Sequence, residues 1–305
     1  AIFVSASEQP AAGKLVRVIG NISESFGKTQ ITASASIMEC GEAAIASTDL
    51  QLPFDTALSA EGLEGMYVSV NSPLTVTNTY NLGKFGELSL SNGLMYIPTN
   101  LHTPNSQEAI ELAEENARNV VLLDDISNDI YPETVAFPNG VLTADNTVRL
   151  GDQVTVSGGI LDYSYGNYRI LPMQAPSFTR VNPRQTKPSI IEGNLKVASM
   201  NVLNLFNGDG LGGGFPTARG ADTAEEFERQ IVKTVNAILA IDADIVGLME
   251  IENDGDETKS TLAELVTRLN AKTAEDTYSF VETNGKIGTD AIAVAFFYKT
   301  ASVAL

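Results

Sequence analysis

One histidine, one cysteine and no long apolar run leave several chemistries without the residues they need. The lone histidine, His102, lies in Asn100-Leu-His-Thr-Pro104, a loop pattern in the first half of the chain. The second half therefore has no histidine general acid or base. Hydrolysis by Ser–His–Asp or Cys–His arrangements and histidine-rich zinc sites are excluded there. Cys40 cannot form a disulfide within the chain. It reads as a half-buried thiol, the alternative being a partner cysteine outside these residues. No stretch approaches the ~20 apolar residues that span a bilayer. Positive charge is also scarce: 19 Lys and Arg face 38 Asp and Glu, a formal net charge of −19. The imbalance is even, with 10 basic and 20 acidic side chains in residues 1–190 and 9 and 18 in residues 191–305. No basic stripe marks a nucleic-acid binder. That disfavours DNA binding by charge pairing alone, and leaves open an enzyme whose bound metal supplies the positive charge. Even acidity with many Asn, Thr, Ser and Gly fits a secreted protein.

At 305 residues the chain has room for two domains with real cores. Residues 1–170 read as β-rich. Short β-branched and aromatic runs, such as Leu15–Ile22, Leu74–Thr79 and Val154–Leu161, alternate with turn signals at Asn81-Leu-Gly83, Ser91-Asn-Gly93 and Pro138-Asn-Gly140. One helix is expected from Ser106 to Arg118, with Ala109, Ile110, Leu112 and Ala113 as its apolar face. This spacing predicts a small closed or half-closed barrel with insertions. Residues 171–194, punctuated by Pro172, Pro176, Pro183 and Pro188, read as a stiff connector. From 195 to 305 the pattern is strand–helix–strand–helix–strand. Thr223-Ala-Glu-Glu226 reads as a capping box for a helix whose stripe is Phe227, Ile231, Val235, Ile238 and Leu239. A second helix carries Leu262, Leu265, Val266 and Leu269. Strands Ala243–Met249 and Ala291–Tyr298 are apolar nearly throughout, as expected when both faces are covered. The start, Ala1-Ile-Phe-Val-Ser, has no charged n-region and reads as mid-strand, so both ends are expected to be cuts within a longer protein.

Two segments carry chemistry. Leu195-Lys-Val-Ala-Ser-Met-Asn201 and Ala243-Asp-Ile-Val-Gly-Leu-Met-Glu250 are apolar runs that each deliver one polar residue at the C-terminal end of a strand, the edge where α/β sheets hold ligands. The Glu250 carboxylate suits Mg²⁺, which takes oxygen ligands and commonly uses one or two carboxylates with a substrate phosphate. Asn201 can donate to a phosphate oxygen or hold a neighbouring carboxylate. Each alone is more often a solvated acid or a turn residue. Asn207-Gly-Asp-Gly-Leu-Gly-Gly-Gly214 lacks the Lys and Ser/Thr of a phosphate loop and reads as a surface loop. Asn253-Asp-Gly-Asp-Glu257 lacks EF-hand spacing and reads as a solvated loop.

Met200-Asn201-Val-Leu-Asn204, Asp244-Ile-Val-Gly-Leu-Met-Glu250-Ile-Glu-Asn253 and Gly288-Thr-Asp290-Ala-Ile-Ala-Val294 together resemble the endonuclease/exonuclease/phosphatase superfamily. The resemblance is nearer to large secreted bacterial nucleases with an OB-like domain ahead of the catalytic one. Arg219-Gly-Ala-Asp-Thr223, Glu226-Phe-Glu-Arg-Gln230, Glu64-Gly-Met66, Leu122-Leu-Asp-Asp125, Arg149-Leu-Gly-Asp152 and Asn182-Pro-Arg184 are similar to that subgroup. The resemblance implies an α+β multidomain chain: an OB-like β-barrel (1–170), a Pro-rich linker (171–194) and the first half of an α/β sandwich (195–305). It implies metal-dependent hydrolysis of phosphodiesters in extracellular DNA, with RNA as a second substrate and a secreted, periplasmic or cell-surface location in a bacterium. Asn201 would position the scissile phosphate. Glu250 would ligate the catalytic Mg²⁺, with Mn²⁺ or Ca²⁺ as alternatives. Asp290 receives no role. The family's later aspartates, asparagine and histidines are not among these residues, so these residues by themselves are expected to be inactive, to expose apolar strands such as Ala291–Tyr298 and to need the missing C-terminal half to fold stably.

Alternatives stay open: a phosphomonoesterase or phospholipid phosphodiesterase of the same superfamily, or a non-catalytic binding module. For the latter, Tyr163, Tyr165 and Tyr168 would supply stacking platforms, although OB-fold strand binders pair such platforms with a basic groove.

Overall fold

The computed structural model describes residues 1–139, 142–143, 145–208 and 214–305. The chain is a mixed α+β protein with many strands and few helices, and it separates into two units, Ala1–Arg184 and Gln185–Leu305. Among the described residues no helix is long and apolar enough to cross a membrane.

The first unit is built on a nine-stranded sheet. In spatial order its strands are Ser177–Thr179, Gln153–Thr155, Leu74–Asn78, Leu88–Ser91, Val121–Leu123, Asn167–Pro172, Gly159–Ser164, Tyr67–Ser69 and Thr48–Asp49. Val68, Val76, Leu88, Leu90, Leu123, Val154, Leu161 and Ile170 are fully buried in its core. Of the closed or half-closed barrel expected, the closed form is not made: the first and last strands of this order do not pair with each other. Closure needs a staggered ladder all the way round, and the two outermost strands, of three and two residues, are too short to supply one. The stretch read as a connector contributes one of those strands, so the sheet reaches past residue 170 to Thr179.

Residues 1–49 contain no buried side chain. Residues 3–42 form a three-stranded sheet (Phe3–Ser5, Lys28–Ala33, Gly20–Ser25) and a two-stranded one (Lys14–Arg17, Met38–Glu42) instead of joining the nine-stranded sheet. The run Leu15–Ile22 is accordingly split between them. Cys40 is exposed, not half-buried. The helix Gln107–Arg118 starts at Ser106, whose hydroxyl accepts the Ala109 amide at 3.2 Å, but buries only Ala109 of its apolar face; Ile110 remains 46% exposed. Gly140, in the expected turn, lies outside the described residues.

Carboxylates in the first unit's motifs serve as staples. Asp152 accepts the amides of Arg149, Val181 and Asn182 at 2.9, 3.0 and 3.1 Å, which ties Arg149-Leu-Gly-Asp152 to Asn182-Pro-Arg184. Glu64 accepts the Thr29 amide at 3.0 Å. Asp124 and Glu87 enclose the buried guanidinium of Arg169.

The second unit is a four-stranded sheet in the order Val197–Leu205, Ile245–Glu252, Ile292–Lys299, Tyr278–Phe280. The first pair is parallel, joined through the helix Ala224–Ile241; the others are antiparallel. The capping hydroxyl of Thr223 accepts the Glu226 amide at 3.2 Å, while the Glu226 carboxylate takes the Asp222 amide at 2.8 Å, one residue before the expected position. Phe227, Ile231, Val235 and Ile238 pack with Leu262, Leu265, Val266 and Leu269 of the helix Thr261–Asn270 against Val202, Val246, Leu248 and Phe297.

Both helices lie on one face. The opposite face carries the cross-strand rows Val197–Ile245–Tyr298, Ser199–Gly247–Phe296 and Asn201–Met249–Val294. Val197, Val294 and Phe296 are at least half exposed, so the apolar strands are covered on one face, the exposure expected of Ala291–Tyr298 for half a sandwich. Gly247 lets the Phe296 ring lie across it, since a Cβ there would sit 3.1 Å from Cε1.

Candidate active site

Asn201 and Glu250 lie on adjacent parallel strands, at irregularities inside the strands instead of at their ends. Asn201 pairs with Met249 and Leu205 with Ile251, so three residues, Val202 to Asn204, face Glu250 alone. Against the strand on its other side, Met249 pairs with Val294 and Ile251 with Ala293, leaving Glu250 as the extra residue. A β-bulge of this kind re-aims a side chain. Leu203, Asn204 and Glu250 all take left-handed backbone, with φ of 54°, 48° and 62°. This conformation costs non-glycine residues about 1–2 kcal/mol each, and it persists only where surrounding contacts impose it.

Those contacts are visible. Asn201 Nδ2 donates to Glu250 Oε1 at 2.8 Å, and Asn201 Oδ1 accepts the Leu203 amide at 2.8 Å. From the helix, Gln230 Nε2 donates to the carbonyls of Val202 and Leu203 at 3.0 and 2.6 Å. Gln230 is thus a site residue that the sequence reading did not single out. Its signal was a polar side chain beside Ile231 in the apolar stripe.

Beyond the bulge, Glu252 Oε2 accepts the Thr261 hydroxyl at 2.9 Å and the Asn207 amide at 3.2 Å. Asp254 Oδ2 accepts the Thr261 amide at 2.7 Å, and Oδ1 is buried without a partner among the described residues. Burial raises the Asp254 carboxyl to about 6, the Thr261 amide opposes the shift, and the charge of Glu252 adds to it. Asn253 holds the loop ahead of the next strand, donating from Nδ2 to the carbonyls of Ile287 and Asp290 at 2.8 and 2.9 Å. Asn253 and Asp254 are both buried, so the segment 253–257 is an ordered staple and not a solvated loop. The glycine-rich expectation at 207–214 falls largely on residues 209–213, outside the described residues.

The other sequence candidates lie in the first unit. His102 caps the short helix Pro98–Leu101. Tyr163 and Tyr168 pack on each other at 4.8 Å, with Gly27 pressed against Tyr163, so of the three tyrosines only Tyr165 presents its ring to solvent.

Among the described residues no three His, Cys, Asp or Glu side chains group as a metal cage. A fixed, half-buried Glu250 nevertheless fits Mg²⁺, which binds through one or two carboxylates plus waters and substrate oxygens. The carboxylate that takes the Asn201 hydrogen keeps lone pairs for a cation. The amide beside it is a neutral donor for an anionic oxygen.

The family described as "Domain of unknown function (DUF8508)" matches residues 18–183, more than half of the chain. The match lies in the first unit and ends before Asn201. No curated protein and no solved structure matches the chain.

Proposed function

The chain belongs to the DUF8508 family, and we propose that its second unit carries the phosphate-binding edge of a Mg²⁺-dependent phosphodiesterase acting on DNA. The observation behind this reading is the 2.8 Å contact between Asn201 and Glu250 across two bulged strands. Left-handed backbone at Leu203, Asn204 and Glu250, on both strands of such a contact, is what a functional constraint produces. Glu250 would hold Mg²⁺, which when bound polarises the phosphoryl oxygen and offsets charge on it. Asn201 would orient the phosphate through its amide, and Gln230 would hold the backbone that aims Asn201. The reading keeps the resemblance to the endonuclease/exonuclease/phosphatase superfamily, RNA as a second substrate and an extracellular bacterial setting.

The test is plasmid cleavage by the protein at its natural length with Mg²⁺, with chelator, and by Glu250→Ala, these residues alone being expected to be inactive. Metal-dependent cleavage that the substitution lowers by about 10²–10³-fold or more supports it. Cleavage indifferent to both chelator and substitution ends it. Hydrolysis of a phosphomonoester with no action on plasmid would move the same site to a phosphatase.

A further inference from the structure

Arg219 and Asp290, from two of the sequence motifs, have no part in the Asn201–Glu250 pair, yet they meet. Arg219 Nη2 lies 3.1 Å from Asp290 Oδ1, with the side chains 47% and 59% exposed. A solvated ion pair contributes little to stability, but the backbone beside each partner is held. Thr217 closes the turn that carries Arg219, donating from its amide and hydroxyl to the Ala221 carbonyl at 3.0 and 2.8 Å. That turn presses on the Asn201 strand: a Cβ on Gly220 would lie 2.6 Å from the Asn204 carbonyl oxygen. Asp290 is held through its carbonyl by Asn253, and the Asn253 amide donates to the Ala291 carbonyl at 2.9 Å. Asn204 lies three residues past Asn201, and Asn253 three past Glu250. The Glu250 strand runs between the Asn201 strand and the one that Asp290 leads into. An ion pair joining the two outer elements therefore crosses the end of the strand that carries Glu250.

We propose that Arg219 is a substrate-binding residue that takes a phosphate oxygen of the bound nucleic acid strand, and that Asp290 holds its guanidinium over the site until phosphate displaces it. This rests on the phosphodiesterase reading. A guanidinium presents five N–H donors in a planar fork that matches phosphate better than a single carboxylate oxygen does. Fixing one cation here also offsets the repulsion between a polyanion and the nearby Glu250, Glu252 and Asp254.

The experiment is fluorescence anisotropy of a labelled phosphorothioate oligodeoxynucleotide, which resists cleavage, in Mg²⁺ and in chelator. Arg219→Gln is expected to weaken binding about tenfold and to lower the salt slope by about one. Asp290→Asn is expected to tighten it about threefold in the wild-type background and not in the Arg219→Gln background, a coupling that general loss of negative charge cannot produce. Asp276→Asn, a carboxylate away from this edge, controls for charge. Unchanged affinity and slope in Arg219→Gln, or an equal Asp290→Asn gain in both backgrounds, overturns the proposal. If the coupling holds but binding ignores Mg²⁺ and Glu250→Ala, the metal reading fails and the Arg219 contact stands. No binding by the wild type overturns both.

Discussion

The amide of Thr261 donates to Asp254 at 2.7 Å, and this single bond seats a raised-pKa carboxyl on the first turn of the helix Thr261–Asn270. The Thr261 hydroxyl lies 2.9 Å from Glu252 Oε2 and 3.1 Å from Asp254 Oδ2. It has one hydrogen for two carboxylates. Asp254 holds its proton to about pH 6 in the folded state, whereas the unfolded chain releases it near 4. Between those values the folded state binds more protons, so stability falls as pH rises through that window and stays lowered above it. Asp254→Asn is expected to raise the unfolding free energy at pH 7.5 by an amount on the order of 1 kcal/mol, with a higher melting temperature, and to leave both nearly unchanged at pH 4. Thermal denaturation at the two pH values measures this. An equal shift at both would contradict it.

Glu250 holds φ at 62°. Glu250→Gly removes the Cβ that makes this conformation unfavourable, at the cost of a freer unfolded chain. Stability is expected to stay level or rise by about 0.5–1 kcal/mol, with the metal-dependent activity lost. Chemical denaturation alongside plasmid cleavage reads both. A large loss of stability would mean that the carboxylate is a structural group.

Gln230→Ala leaves two carbonyls of a strained turn without their donor. The expected cost is about 1–3 kcal/mol. In the phosphodiesterase reading kcat falls while KM changes little, because the residue acts through Asn201 without touching substrate. A change confined to KM would assign Gln230 to binding instead.

Arg169 is 5% exposed between Glu87 and Asp124. Arg169→Ala abandons two poorly solvated carboxylates, which for a buried pair costs about 3–5 kcal/mol. The loss should appear in denaturant unfolding of the first unit and should shrink in the triple variant that also replaces Glu87 and Asp124 by Gln and Asn. Equal losses in single and triple variants would show that packing of the Arg169 stem is the cause.

Local signals were legible where the governing interaction is local. Ser106 and Thr223 cap their helices, and the stripe Phe227–Ile231–Val235–Ile238 faces the core as its spacing predicts. Asn201 and Glu250 were readable as polar residues closing apolar strands. Their bulges were not, because register depends on strands separated in sequence. The roles of Gln230, named only as the end of a motif, and of Thr261 were not legible because each bonds groups from a different element. In the strand Ile292–Lys299, Val294 and Phe296 are as apolar as the buried Phe297 beside them, so composition alone does not tell the covered face from the exposed one. The closed barrel failed for a related reason: strand spacing says nothing about whether the outermost strands find each other.

Glu250 is a one-residue insertion as seen from the strand Ile292–Lys299, and this makes it a phase marker for its own strand. Upstream of it, Val246 and Leu248 point toward the helices; downstream, Ile251 does so again only because one residue has been looped out. Excising Glu250 would therefore remove the carboxylate and leave the phase intact: Ile251 would follow Met249 in plain alternation and still face the helices. Flattening the bulge with the residue in place would do the opposite, turning Glu250 toward the packed interior and Ile251 toward water. The sheet thus carries at this position a residue that its own alternation does not need, and the extra residue is the one that bears the carboxylate.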